Sequence, residues 1–245
     1  MAGFHTHIAV STASGIAYGW WGTAQLGLPL PTCLLAGGLC SISGMFPDLD
    51  SDSGVPARET ISFAAAVVPM LAFHRLHLHG LSVEQMVVAG APMYLFIRFG
   101  LGSLLKKFTV HRGMFHSLPA LAIAAMITFL LCDDGLTMAR FFKAGGVALG
   151  FFSHLLLDEI WSVNLAGKRP VVKKSFGSAL KLFGPSAAGN SAAYGLLILT
   201  SLLVLQDAHR MPSPMPNAPP LVAPDEDEPP RTRHATRRHR DVIYE

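Results

Sequence analysis

Apolar residues in this chain fall into seven runs, at about 8–30, 32–46, 61–78, 83–105, 114–132, 139–161 and 190–206. A membrane-spanning helix needs about 20 such residues, within a working range of about 17–25. The run at 32–46 is short, and the run at 61–78 turns polar at His74, so these are the two doubtful crossings. The pattern predicts an all-α polytopic transmembrane bundle of about six or seven helices. Gly15 and Gly19 stand four apart, as do Gly146 and Gly150. That spacing lets helices approach closely in lipid, although glycine is also simply frequent in membrane helices. No Lys or Arg precedes Arg58, so the first run lacks the positive leader of a secretory signal and reads as a retained span.

The pattern stops at residue 206. Residues 207–245 carry eight of the 17 prolines, an acidic block at Asp225–Glu228, and then Arg231, Arg233, Arg237, Arg238 and Arg240. Such a segment has too little apolar surface to offset chain entropy. The expected organisation is a transmembrane domain over 1–206 and a disordered Pro/Arg-rich tail over 207–245. The arginines of the tail have a solvating role in this reading.

Composition sharpens the contrast between the two parts. The whole chain is 51% hydrophobic and 14% charged, against about 25% charged for an ordinary soluble domain. Of its 35 Asp, Glu, Lys and Arg residues, 13 lie in 207–245 and 22 remain for the first 206 positions. This excludes an ordinary soluble enzyme, a disordered regulator and a specific nucleic-acid binder. Cys33, Cys40 and Cys132 all lie in apolar runs, with no CxxC pair. They read as buried thiols rather than a disulfide framework.

If all seven runs cross, the N-terminus shares side A of the membrane with residues 47–60, 105–113 and 162–189. Side A then holds Arg58, Lys106, Lys107, Arg112, Lys168, Arg169, Lys173, Lys174 and Lys181, against Arg75, Arg140, Lys143 and Arg210 on side B. The excess makes side A cytoplasmic. The same alternation gathers His5 and His7, Asp48, Asp50 and Asp52, His111 and His116, and His154 and Asp158 at that face. A re-entrant 32–46 would separate His7 from the other groups.

These residues suit metal chemistry. His154 and Asp158 are four apart and share one helical face, and an ionisable pair in an apolar segment is costly unless it has a function. Imidazole with carboxylate suits zinc, manganese or iron. His111 and His116 do not share a helical face, but a turn at Gly113 can bring them together, with Arg112 beside them to meet an anion. Asp48, Asp50 and Asp52 repel one another unless a cation or several donors lie between them. They do not form an EF-hand: Ser53 stands where the sharp-turn glycine belongs. His74, His77 and His79 read as an interfacial collar. Arg98, inside the fourth run, reads as snorkelling or paired with an aspartate.

The ordered motifs His7-Ile8, PDLD (Pro47–Asp50), HRGMFHS (His111–Ser117) and SHLLLDE (Ser153–Glu159) resemble the YdjM-type, LexA-regulated inner-membrane family. The run KKSFGSALKLF, Lys173–Phe183, resembles one branch of it. The resemblance covers about 5–185 and implies a bacterial inner-membrane protein with metal-dependent hydrolysis on an unestablished substrate. Phe115 stands where that family often has Thr, and the tail lies outside the resemblance.

Two function classes follow. The first is a membrane-bound hydrolase in which His7, Asp48, Asp50, His111, His116, His154 and Asp158 hold one or two divalent ions, zinc or manganese. Asp50 or Asp52 would then act as general base and Arg112 would neutralise developing negative charge. A site at headgroup level implies membrane lipids as partners and an amphiphilic substrate such as a phospholipid or lipid-linked phosphate. The second is a cation or proton transporter, or another metal-handling membrane protein, whose polar groups should thread towards both faces. A structural membrane protein accounts for Lys and Arg at helix ends but not for the accompanying histidines and carboxylates.

Overall fold

Each of the seven apolar runs folds around one helix. A computed structural model describes residues 3–50, 54–101, 114–132, 137–164, 171–172 and 180–210. The helices are α1 (Phe4–Leu26), α2 (Leu30–Ser43), α3 (Gly54–Leu78), α4 (Val83–Leu95), α5 (Leu118–Leu131), α6 (Thr137–Ser162) and α7 (Ala187–Arg210). A 3-10 turn, Phe46–Asp50, follows α2, and α4 continues as a π-helical turn, Phe96–Leu101. After α6, the two-residue strands Val163–Asn164 and Val171–Val172 pair antiparallel, with Val163 opposite Val172. The tail beyond residue 210 lies outside the described residues.

Local chemistry sets several of the boundaries. Gly27 ends α1 with φ 60°, a left-handed conformation that a side chain would disfavour, and Pro29 then starts α2. Ser82 and Gln85 cap each other's backbone at the start of α4, the Ser82 hydroxyl accepting from Gln85 N at 3.3 Å and Gln85 Oε1 from Ser82 N at 2.9 Å. Ser117 caps α5 by accepting from Ala120 N at 3.3 Å. The last helix reaches Arg210, four residues past the boundary expected from hydropathy.

Among the described residues, four segments are long and apolar enough to cross a membrane: Leu30–Asp48, Ala57–Leu78, Thr137–Ser162 and Ala187–Asp207. Both doubtful runs are among them. Helix α2 alone has 14 residues, but the apolar segment continues through the 3-10 turn to 19. Its Cys33 packs with Phe142 of α6 at one end, and its Gly44 meets His154 of α6 at the other. The α6 stretch between these contacts covers about 18 Å at 1.5 Å per residue, so α2 runs from one end of the core to the other. The helices alternate in direction. The start of α1, the end of α2 and the end of α6 share one end of the bundle, while the ends of α3 and α7 and the start of α6 share the opposite one.

The core is the triple packing of α1, α2 and α6, and small residues make it possible. A Cβ on Gly37 would lie 2.7 Å from the Gly15 carbonyl oxygen, and one on Gly146 would lie 2.6 Å from that of Ala36. A Cβ on Gly150 would overlap the carbonyl oxygen of Cys40 and the Ser43 hydroxyl. Both glycine pairs expected to mediate helix approach therefore do so, within one chain. Side chains bond across the same seams. Ser11 Oγ donates to the Ser41 carbonyl at 2.7 Å, and Tyr18 OH donates to that of Phe142 at 2.9 Å. Helix α6 divides into a buried face with Val147, Phe151 and Leu155 and an outward face with Phe152, Leu156 and Ile160. Cys33, Cys40 and Cys132 are free and buried, as expected.

The far end of the bundle holds a buried charge network. Asp207 Oδ1 accepts from Arg75 Nη2 at 2.8 Å, and its Oδ2 accepts from Arg140 Nη2. Arg140 also donates through Nε and Nη2 to the Phe129 carbonyl at 3.3 and 3.1 Å, and its guanidinium carbon lies 4.1 Å from the Phe129 ring centroid. Arg140 is 2% exposed, so it belongs to the core rather than to an interfacial fringe of positive charge. Helices α3, α5, α6 and α7 are joined through it.

Replacing Gly150 with Ala is expected to push α2 from α6 and destabilise the fold by about 1–3 kcal/mol, the usual cost of overpacking. The Cys40 thiol should then react faster with a thiol dye during thermal unfolding in detergent. Gly38→Ala, where nothing lies within 4 Å of the added atom, should behave as wild type in the same assay. Asp207→Ala removes the acceptor shared by two arginines and is expected to cost about 3 kcal/mol. The matching readout is a lowered thermal midpoint.

Candidate metal centre

Four separate stretches of the chain meet at the other end of the core. His7 lies in the first turns of α1, Asp48 in the 3-10 turn after α2, His116 just before α5, and His154 and Asp158 in the last turns of α6. His7, His154 and Asp158 form one group of three. Asp48, His116 and His154 form a second, and in each group one potential ligand atom per residue lies within 4.8 Å of the others. His154 is common to both.

His154 is fixed by the backbone. Its Nδ1 lies 2.7 Å from the carbonyl oxygen of Gly44. A carbonyl only accepts, so Nδ1 carries the hydrogen, and in the neutral ring Nε2 is left with a lone pair. The sequence reading missed this partner, because a backbone acceptor 110 positions away leaves no compositional trace. The glycine matters sterically: a Cβ at position 44 would overlap Ser11 Cβ of α1. Metal-bound histidines characteristically donate their second ring N–H to such a carbonyl, which orients the ring.

Nε2 of His154 then faces two carboxylates, at 3.6 Å from Asp48 Oδ1 and 3.9 Å from Asp158 Oδ2. His7 Nε2 is 3.3 Å from Asp158 Oδ1, and His116 Nε2 is 3.5 Å from Asp48 Oδ1. Hydrogen bonds of this kind measure about 2.7–3.2 Å. Two ligands of one tetrahedral ion, bound at about 2.0–2.1 Å, stand about 3.3–3.4 Å apart. The separations fit ligand-to-ligand edges better than hydrogen bonds. His154 Nε2 and Asp158 Oδ1 are also buried without a hydrogen-bond partner, which is costly unless a cation satisfies them. The His7 and His154 rings stack with centroids 3.7 Å apart, and His116 meets His154 edge-on at 5.6 Å. Three imidazoles and two carboxylates make a donor set suited to zinc or manganese.

Five of the candidate residues thus come together: His7, Asp48, His116, His154 and Asp158. The side chain of Asp50 lies outside the described residues, as do Asp52, His111 and Arg112. His5 is exposed and rests edge-on against Phe4, with ring centroids 5.6 Å apart. The α1 helix therefore turns His7, not His5, towards α6. His74, His77 and His79 are exposed beside the opposite end. Arg98 lies over the Phe99 ring, its guanidinium carbon 5.4 Å from the centroid. The end of the KKSFGSALKLF run flanks the cluster's end of the bundle, since Leu118 N donates to the Lys181 carbonyl at 3.1 Å.

Gly44→Ala is expected to displace the carbonyl that orients His154 and to destabilise the fold by about 1–3 kcal/mol. Adding Ser11→Gly removes the clashing Cβ and should recover part of that loss. Thermal midpoints of the single and double variants in one detergent check both expectations.

The YdjM inner membrane protein family model matches residues 1–209, which include the five clustered residues and, among the described residues, the helices α1 to α6 with all but the last residue of α7. No curated protein matches the chain, and no solved structure matches it. A match over this length, with four helices suited to crossing a bilayer, makes the chain a multi-pass inner-membrane protein belonging to the YdjM family.

Proposed function

We propose that this protein is a metal-dependent hydrolase of the cytoplasmic membrane face, acting on a phospholipid or a lipid-linked phosphate. The observation that carries the reading is the set of buried lone pairs facing one another. His154 Nε2 lies 3.6 and 3.9 Å from two carboxylate oxygens, and its own hydrogen is committed to Gly44. One or two divalent ions, zinc or manganese, would supply Lewis acidity and a water that ionises near neutral pH. His7, Asp48, His116, His154 and Asp158 would hold them, with His111 and Asp50 as further ligands proposed from the sequence. Asp50 or Asp52 would take the proton from the attacking water, and Arg112 would meet the negative charge that develops on the substrate.

Depth in the bilayer supports an amphiphilic substrate. His7 lies three residues from the start of α1 and Asp158 four from the end of α6, so both sit about 5–6 Å from a helix end. The headgroup zone on each side of a bilayer is about 5–8 Å deep. A bond near the headgroup is therefore at the height of the cluster. A transport path has less support. Lys143 of α6 is also buried and extends the far polar end inward by about one turn, but between it and His154 the buried face of α6 carries Val147 and Phe151, with no charge among its residues.

Purified protein is expected to retain divalent metal near stoichiometry, read by elemental analysis, and to hydrolyse a lipid from a panel of phospholipids and lipid-linked phosphates in mixed micelles. Replacing His154 and Asp158 together with Ala should abolish both. Unchanged metal content in that variant would sink the proposal. Metal-dependent flux in liposomes without hydrolysis would favour transport instead.

A further inference from the structure

The five clustered side chains differ in their access to solvent. Those of His7, His116, His154 and Asp158 are 3%, 5%, 0% and 6% exposed, whereas Asp48 is 24% exposed. The difference follows from the elements that carry them. His7, His154 and Asp158 project from α1 and α6, whose close approach seals the space between. Asp48 sits on the 3-10 turn at the end of α2.

His154 imposes a second constraint. Its Nδ1 hydrogen is engaged by Gly44, so only the Nε2 lone pair is available, and one lone pair binds one ion. The two groups of three that share His154 therefore cannot both use it at once. An ion taking His154 with His7 and Asp158 draws every one of these ligands from two packed helices. The remaining pair, Asp48 and His116, lies 3.5 Å apart, and Asp48 is the member that reaches solvent. Asp48 Oδ1 also lies 3.6 Å from His154 Nε2, so one carboxylate borders both positions.

We infer that the cluster comprises two unlike divalent-cation positions. One is a sealed position made by His7, His154 and Asp158, which staples the N-terminal turns of α1 to the last turns of α6. The other is an open position centred on Asp48 and His116, which exchanges with solvent and receives the substrate. The inference rests on the metal reading proposed above and adds a division of labour to it. Two buried polar atoms point to the sealed position: His154 Nε2 and Asp158 Oδ1 have no hydrogen-bond partner, and His7 turns its Nε2 towards the same Asp158 oxygen. Its geometry agrees, with ligand atoms 3.3 and 3.9 Å apart. Structural metal sites are closed by protein ligands, whereas reactive ones keep a position open to water. Releasing the sealed ion requires α1 to part from α6, a local opening, whereas releasing the open one requires only ligand exchange.

The test uses the full-length protein in detergent, loaded with zinc and challenged with a chromogenic chelator. Wild type is expected to release one equivalent quickly and a second about 100-fold more slowly, because the second waits on local opening. Asp48→Asn should abolish the fast phase and keep the slow one, along with most of the zinc-induced rise in thermal midpoint. Asp158→Asn should remove the slow phase and most of that rise. Should that variant fold poorly, as judged by early reactivity of the buried Cys40 thiol, the wild-type kinetics and Asp48→Asn decide alone. A single equivalent, two equivalents released at one rate, or loss of the slow phase in Asp48→Asn would each overturn the inference. Absence of bound zinc in wild type would overturn the metal reading with it. Two-phase zinc release without hydrolysis of any lipid would leave this inference standing and remove only the proposed activity.

Discussion

The structure depends on how closely α2 approaches α6. At Gly150 the two backbones come so near that an added methyl group would occupy the place of the Cys40 carbonyl oxygen. That approach brings Gly44 to His154, and the 2.7 Å contact between them decides which nitrogen of the ring faces the cluster. Helix α1 closes on the same seam, with Gly15 against Gly37, and so delivers His7 to the His154 ring at 3.7 Å. In lipid there is little hydrophobic gain from helix contact, so close van der Waals packing and interhelical hydrogen bonds carry the association. Ser11 and Tyr18 supply such bonds to the Ser41 and Phe142 carbonyls.

The two ends of the core answer the same problem in different ways. At one end charge is satisfied within the protein: Asp207 bridges Arg75 and Arg140, and Arg140 also bonds the Phe129 carbonyl and covers its ring. Opposite charges with aligned hydrogen bonds need nothing further. At the other end lone pairs face lone pairs at distances too long for hydrogen bonds. An apolar stretch including Val147 and Phe151 separates the two. A bundle tied at one end by ion pairs can hold the side chains of its other end at fixed separations.

Much of this architecture is written in the hydropathy pattern. Seven apolar runs give seven helices, because an apolar stretch in lipid must satisfy its backbone internally and a helix does so. The runs ended a few residues away from the helices where turn chemistry took over, as at Gly27 and Ser117. The short run at 32–46 looked insufficient because hydropathy alone does not reveal that a 3-10 turn extends it to Asp48. The residue types of the cluster were also legible: histidines and carboxylates in a chain so poor in charge stand out against their surroundings. Choosing His7 over His5 was less so, since two residues apart on a helix means faces about 200° apart and only the position of α6 says which face looks inward.

Asp207 shows what remained hidden. By composition it is the first residue of a polar tail, and Arg75 and Arg140 are two of a few positive charges at helix ends. Their pairing joins positions up to 132 residues apart, a relation set by which helices neighbour one another. The sequence by itself determined the class of the protein, its helical bundle, and the kinds of side chain gathered near one end, because these follow from local hydropathy and helical periodicity. Only the tertiary structure decided that Gly44 orients His154, that Asp207 belongs to the body of the bundle, and that Asp48 alone of the measured cluster residues has appreciable exposure. Those facts depend on backbone approach and burial between distant segments, which no local pattern of residues encodes.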